Sequence, residues 1–144
     1  MKLRVFTDGS CSGNPGPGGW AAMFNYPDRT EVISGHELET TNNRMELMAV
    51  KEALQSIVSN GDQLRYELIE IHSDSAYVVN AITKGWTEQW KKNGWRTKSG
   101  DIVKNCNLWS EVIVRMEVIS KLTKLEFIFY FFDFRLPFKN NLIF

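Results

Sequence analysis

The sequence predicts an α/β domain: a five-stranded mixed sheet with helices on its faces. Three observations carry that expectation. Three strand-like segments follow one another at the N-terminus, and from about residue 40 helical and strand-like segments alternate. Within the first helical segment Leu47, Val50, Leu54 and Ile57 recur at +3, +4 and +3, which is one helical face. The 144 residues contain no internal repeat and no linker, so a single core is expected. Three strands, then helix, strand, helices and strand imply an antiparallel meander continued by parallel crossovers.

In order, Lys2 to Thr7 reads as a short strand with apolar Leu3, Val5 and Phe6, ended by Asp8-Gly9. Gly9 to Gly19 holds five glycines and two prolines and predicts a turn-rich loop. Trp20 to Tyr26 and Thr30 to Glu37 form a hairpin around Pro27-Asp28. Thr40-Thr41-Asn42-Asn43 offers N-caps for a helix running to about Ser59, which Asn60-Gly61 ends. Leu68 to Ser73 is a further strand. Ser75 to Thr83 is a short helix with Ser75 as cap and Gly85 as its close. Asn105 to Ser120 is the second long helix, with Leu108, Val112 and Met116 at +4 spacing, and Lys124 to Phe131 is the last strand.

Composition narrows the function classes. Seventeen basic residues balance 17 acidic ones, which excludes a protein that coats nucleic acid by bulk charge. Apolar residues at 43% and charged residues at 24% are ordinary globular usage. Cys11 and Cys106, far apart and without a CxxC pair, exclude a disulfide framework and a cysteine zinc site, and suit a reducing cytosol. The opening residues lack the apolar run of a signal peptide. The longest greasy stretch, Leu125 to Phe134, carries Glu126 and Asp133 and is too short to cross a bilayer. A cytoplasmic protein without a membrane partner, acting as a monomer, is expected.

The balanced charge is unevenly spread. Between Lys84 and Lys104 six cations face two anions, a local excess of four positive charges, and three of the five tryptophans lie there. Cations interleaved with flat rings suit a polynucleotide groove, where Lys and Arg hold phosphates and rings pack on sugars or bases. The other reading is a solvated helix whose tryptophans face the core.

No Ser-His-Asp or Cys-His system is available, because His36 falls inside the hairpin and His72 inside a strand. Three acids are better placed. Asp8 ends the first strand, Asp74 ends the strand after the first helix, and Glu46 lies in the first turns of that helix. Should the two strands be neighbours, the carboxylates meet at one sheet edge. Converging carboxylates need a counter-charge, and without sulfur or imidazole nearby the donor set suits Mg²⁺ or Mn²⁺ rather than zinc. Two such ions could serve phosphodiester hydrolysis. The same residues also have structural uses: Asp8 as turn former, Glu46 as helix-dipole partner, Asp74 as cap. The loop GSCSGNPGPGG is neither a Walker loop nor a dinucleotide fingerprint, although its amides and Asn14 could touch a sugar-phosphate chain.

Taken in order, FTDGSCSGNPGPGG, TTNNRMELMA, HSDSAYV, GWTEQWKKNGWRT and VKNCNLW resemble bacterial type 1 ribonuclease H, from Lys2 to Trp109 and on to about Phe127. The resemblance implies a ribonuclease H-like fold. The implied activity is cleavage of the RNA strand of RNA–DNA hybrids, leaving 3′-hydroxyl and 5′-phosphate ends, with two Mg²⁺ ions (Mn²⁺ as substitute). Asp8 would bridge both ions, and Glu46 and Asp74 would complete the site. Cys11, Asn14 and Asn42, with Asn43 beside them, would touch the minor groove of the hybrid, where 2′-hydroxyls mark the RNA strand. The segment holding Trp86, Trp90, Lys91, Lys92, Trp95, Arg96 and Lys98 corresponds to a basic protrusion that grips the DNA strand. A glutamine of the family pattern is replaced here by Ala76.

The chain departs from the pattern after Phe127. It divides there into residues 1–127, the ribonuclease H domain, and residues 128–144, an atypical tail holding most of the phenylalanines but no histidine or glycine. The family's Gly-His loop, final helix and fourth aspartate are missing from it. Asp133 falls short of the aspartate's place, near Asn141. Either the tail is simply aromatic, or a shifted reading frame in an A/T-rich gene produced it. The alternative to an active nuclease is a catalytically impaired relative that still binds hybrid.

Overall fold

The computed structural model describes residues 1–130. Five strands, β1 (Lys2–Cys11), β2 (Gly16–Asn25), β3 (Thr30–Thr40), β4 (Leu68–Ser73) and β5 (Lys124–Phe129), form one sheet in the order β3-β2-β1-β4-β5. β1 to β3 pair antiparallel, whereas β4 joins β1, and β5 joins β4, in parallel. The helices are α1 (Asn42–Asn60), α2 (Ala76–Thr83), α3 (Trp86–Lys92) and α4 (Cys106–Ser120). The mixed five-stranded sheet with flanking helices is the predicted architecture.

Alternation along β1 sends Leu3 and Val5 to one face, joined by Ala22 and Phe24 of β2 and Ile69 and Ile71 of β4. The α1 stripe Leu47, Val50, Leu54 and Ile57 seals that face with no exposure, each side chain contributing about 1.5–3 kcal/mol. Leu108, Trp109 and Val112 of α4 complete the core. The ends of α1 follow from its sequence. Thr41 Oγ1 accepts the Arg44 N–H at 3.2 Å, and Gly61 at φ 71° donates its N–H to the last carbonyls. Ser75 caps α2 in the same way.

Three departures from the expected elements bear on the site. First, the glycine-rich stretch is mostly strand. Gly9, Ser10 and Cys11 pair with Trp20, Gly19 and Gly18, leaving residues 12–15 as the connection. A Cβ on Gly9 would lie 2.3 Å from the Met45 carbonyl carbon, so this glycine makes room for α1 rather than a turn. Second, β3 extends past Glu37 to Thr40, because Gly16 supplies Thr40 with a partner. Third, the basic segment opens with a helix, α3, which starts at Gly85 with φ 77°. Its continuation folds back through the bridge between Arg96 and Ile102. A short 3₁₀ turn at Asp62–Leu64 also went unpredicted; its buried Asp62 accepts from Tyr26 Oη at 2.8 Å and Arg65 Nη2 at 2.6 Å.

β5 runs through Phe129, and the Tyr130 ring packs against Phe6 at 6.4 Å on the opposite sheet face. The rest of the tail, including Phe131, Asp133, Asn141 and the place of the expected missing helix, lies outside the described residues. No described helix is long and apolar enough to cross a membrane.

Candidate active site

Backbone pairing brings two of the three acids together. In the parallel β1–β4 pair Thr7 stands opposite Ser73, so Asp8 and Asp74 are the next residue of each chain at the same edge. Glu46 reaches that edge from the second turn of α1, which lies against β1 because Gly9 has no side chain. One oxygen from each of Asp8, Glu46 and Asp74 lies within 4.8 Å of the others. The Gly9 N–H donates to Asp8 Oδ1 at 3.0 Å and also to Glu46 Oε1, clamping strand end and helix together.

The electrostatics suit a cation. Burial, then the facing charges of Asp74 and Asp8, holds the Glu46 carboxyl well above the ordinary carboxylate range, with only the Gly9 N–H pulling the other way. At separations no greater than 4.8 Å and an effective dielectric of ~20, ionised pairs would repel by at least ~3.5 kcal/mol. All-oxygen donors at this spacing suit a hard divalent cation. Asp8 is 5% exposed and Glu46 9%. Both open with Asp74 into a cavity of about 460 Å³ that Ser10, Asn42, Asn43, Ser75, Ala76 and Tyr77 help to line.

A second groove of about 610 Å³ adjoins it, lined by Asn14, Thr41, Asn42, Asn43, Tyr77, Lys104 and Asn105. Carboxamides, two hydroxyls and one lysine offer neutral hydrogen bonds and a single positive charge, which suit a sugar-phosphate chain. The Asn42 N–H donates to Asn14 Oδ1 at 3.1 Å, tying the β1–β2 connection to the start of α1. Cys11 Sγ is 3.2 Å from the Thr40 carbonyl oxygen, at the same end of β1.

The basic segment is partly packed on the core and partly exposed. Trp86 is 39% exposed, with Lys84 Nζ 5.7 Å from its ring centre. Trp90 and Trp95 are half-buried against the core, and Trp90 meets Trp109 edge-on at 5.6 Å. The core-facing alternative raised by the sequence therefore describes part of both rings. Lys91, Lys92, Arg96 and Lys98 are exposed; Lys91 Nζ pairs with Glu117 at 2.6 Å, and Arg96 Nη1 donates to the Gly100 carbonyl at 2.8 Å. Sequence reasoning overlooked Tyr77, Lys104 and Asn105. The sequence presents Asn105 only as a helix start, and the positive φ of 59° that distinguishes it carries no sequence signal beyond its being asparagine.

A model of the RNase H family matches residues 1–126. The ribonuclease H of Syntrophomonas wolfei is 50% identical over 112 residues, 78% of this chain and 73% of its own length. Among solved structures, LC9-RNase H1, a type 1 RNase H with the type 2 active-site motif, is similar at TM-score 0.72 and 31% identity, over 90% of this chain and 62% of that one. LC11-RNase H1 in complex with RNA/DNA hybrid is similar at TM-score 0.63 and 25% identity, over 89% of this chain and 84% of that one.

Proposed function

The chain belongs to the ribonuclease H family, and on that premise we propose that it is a metal-dependent endonuclease that hydrolyses the RNA strand of RNA–DNA hybrids. The observation that carries this reading is the convergence of Asp8, Glu46 and Asp74 on one groove floor, with carboxamides and Lys104 beside it. A protein bound to a hybrid is also what the LC11 relative's structure contains.

Asp8, Glu46 and Asp74 would hold two Mg²⁺ ions, with Mn²⁺ as a substitute. Held there, the metal would supply Lewis acidity toward the attacking water and the leaving oxygen. The chain's own contribution is placement. Gly9 holds Asp8 and Glu46 in one orientation through a shared N–H. Asn14, Asn42 and Asn43 line the approach for the sugar edge of the hybrid, with Cys11 as a further contact at the same end of β1, and the carboxamides can both give to and accept from a 2′-hydroxyl. Lys91, Lys92, Arg96 and Lys98, with Trp86 among them, hold the partner strand by its phosphates.

The test is a labelled RNA–DNA hybrid incubated with the protein and Mg²⁺. RNA fragments bearing 5′-phosphates, lost on Asp8→Asn, are expected. Hybrid binding without fragments in either Mg²⁺ or Mn²⁺ would instead identify the impaired, binding-only relative.

A further inference from the structure

Tyr77 stands between the acidic centre and the polar groove. It lies three residues after Asp74, on α2, and lines both cavities. Its hydroxyl accepts the Trp109 indole N–H at 2.9 Å and the Asn105 Nδ2–H at 3.4 Å. Trp109 is fully buried, and its ring meets that of Tyr77 edge-on at 5.7 Å. The hydroxyl is therefore anchored to an immobile core residue on one side and holds a groove residue on the other.

The groove residue needs holding. Asn105 adopts φ 59°, ψ 29°, immediately before α4, and its side chain does not cap that helix. Asparagine tolerates this left-handed conformation, but an N-cap position usually turns the carboxamide back on the helix N–H groups. Here the carboxamide lines the groove beside Lys104, Asn14 and Asn42. Spending one Nδ2 hydrogen on Tyr77 leaves one donor and the acceptor oxygen of the amide for a bound chain.

We propose that Tyr77 is a positioning residue for hybrid binding, fixing the Asn105 carboxamide in the groove by hanging it from Trp109. This rests on the hybrid-nuclease reading above. Tyr77 touches no reacting atom in this scheme, so its effect falls on substrate binding and not on bond cleavage.

Tyr77→Phe keeps the ring and its contact with Trp109 while deleting the hydroxyl. Steady-state cleavage of a labelled hybrid, at a temperature where circular dichroism shows the variant folded, should give a KM raised roughly three- to tenfold, the worth of one hydrogen bond, with kcat within about twofold. Asn105→Ala should raise KM alike, and the double variant should add nothing to it. A lowered Tm with unchanged KM would reduce the hydroxyl to a structural bond and overturn the proposal. So would additive effects in the double variant, since Tyr77 would then not act through Asn105. Wild-type protein that neither binds nor cuts hybrid would remove the nuclease reading and this inference together. Wild-type cleavage with an unaltered Tyr77→Phe KM would remove the inference alone.

Discussion

Alanine at position 9 offers a sharp test of how the acidic centre is assembled. The added Cβ would sit 2.3 Å from the Met45 carbonyl carbon, 2.5 Å from the Glu46 nitrogen and 2.6 Å from the Met45 oxygen. Ordinary contact begins at 3.4–4 Å, so strand and helix must separate by about 1.1–1.7 Å. The clashing atoms are main chain, and no rotamer change can relieve them. Overpacking of this kind costs about 1–3 kcal/mol, and for a domain of this size Tm falls by about 2–4 °C per kcal/mol. The displacement acts on the very N–H that holds Asp8 and Glu46 together. A misplacement of ~1 Å costs about 100-fold in rate. Gly9→Ala should therefore lower kcat on hybrid by about two orders of magnitude at a temperature where it is fully folded. Gly61→Ala serves as the control. It strains a helix end at φ 71°, at a cost of about 1–2 kcal/mol, and touches neither carboxylate, so its kcat should stay at the wild-type level. Wild-type kcat in Gly9→Ala would refute the view that this close approach sets the geometry of the acids.

Two further outcomes are expected. Lys91→Ala combined with Lys92→Ala should weaken hybrid binding and flatten the dependence of log K on log salt by between about one and two units, less than two full phosphates because Lys91 is already engaged by Glu117; an unchanged slope in a filter-binding titration would detach this segment from the nucleic acid. Glu46→Gln should change the pH profile of stability in chelator. Glu46 binds its proton more tightly folded than unfolded, so the wild-type protein loses stability as pH rises from about 4.5 through the raised folded value. The glutamine variant should lack that loss, melt higher than wild type above the window, and show a smaller Tm gain on adding Mg²⁺; parallel melting curves across pH would contradict the assigned electrostatics.

Most of the architecture was legible because apolar spacing and caps acted locally and agreed. The α1 stripe, its Thr41 cap and its Gly61 terminus all mean the same thing in sequence and in space, as does the Ser75 cap of α2. Glu46 and Asp74 were legible for a related reason, lying in the second turn of α1 and just past β4, whose limits were clear; Asp8 sits inside β1 and not at its end, and was legible because the pairing of β1 with β4 stops at Thr7. The glycines of residues 9–19 misled, since a glycine that admits a neighbouring helix looks the same as one that makes a turn, and only tertiary packing separates them. Trp90 was ambiguous for want of a face, since a seven-residue helix has too few turns to declare one, and Trp95 lies beyond that helix at φ 63°, where no periodicity applies. Tyr77 and Asn105 left no trace because their pairing spans 28 residues and depends on Trp109.

The adjacency of β1 and β4 has a consequence for biosynthesis. The two aspartates are carried to each other only when a strand made at the start of translation is joined by one made after residue 67. A nascent chain that has not yet released β4 from the ribosome owns Asp8 and Glu46 but not the third acid of the cluster. On the proposed three-acid site, nuclease activity is therefore withheld from every truncated product that ends before Asp74.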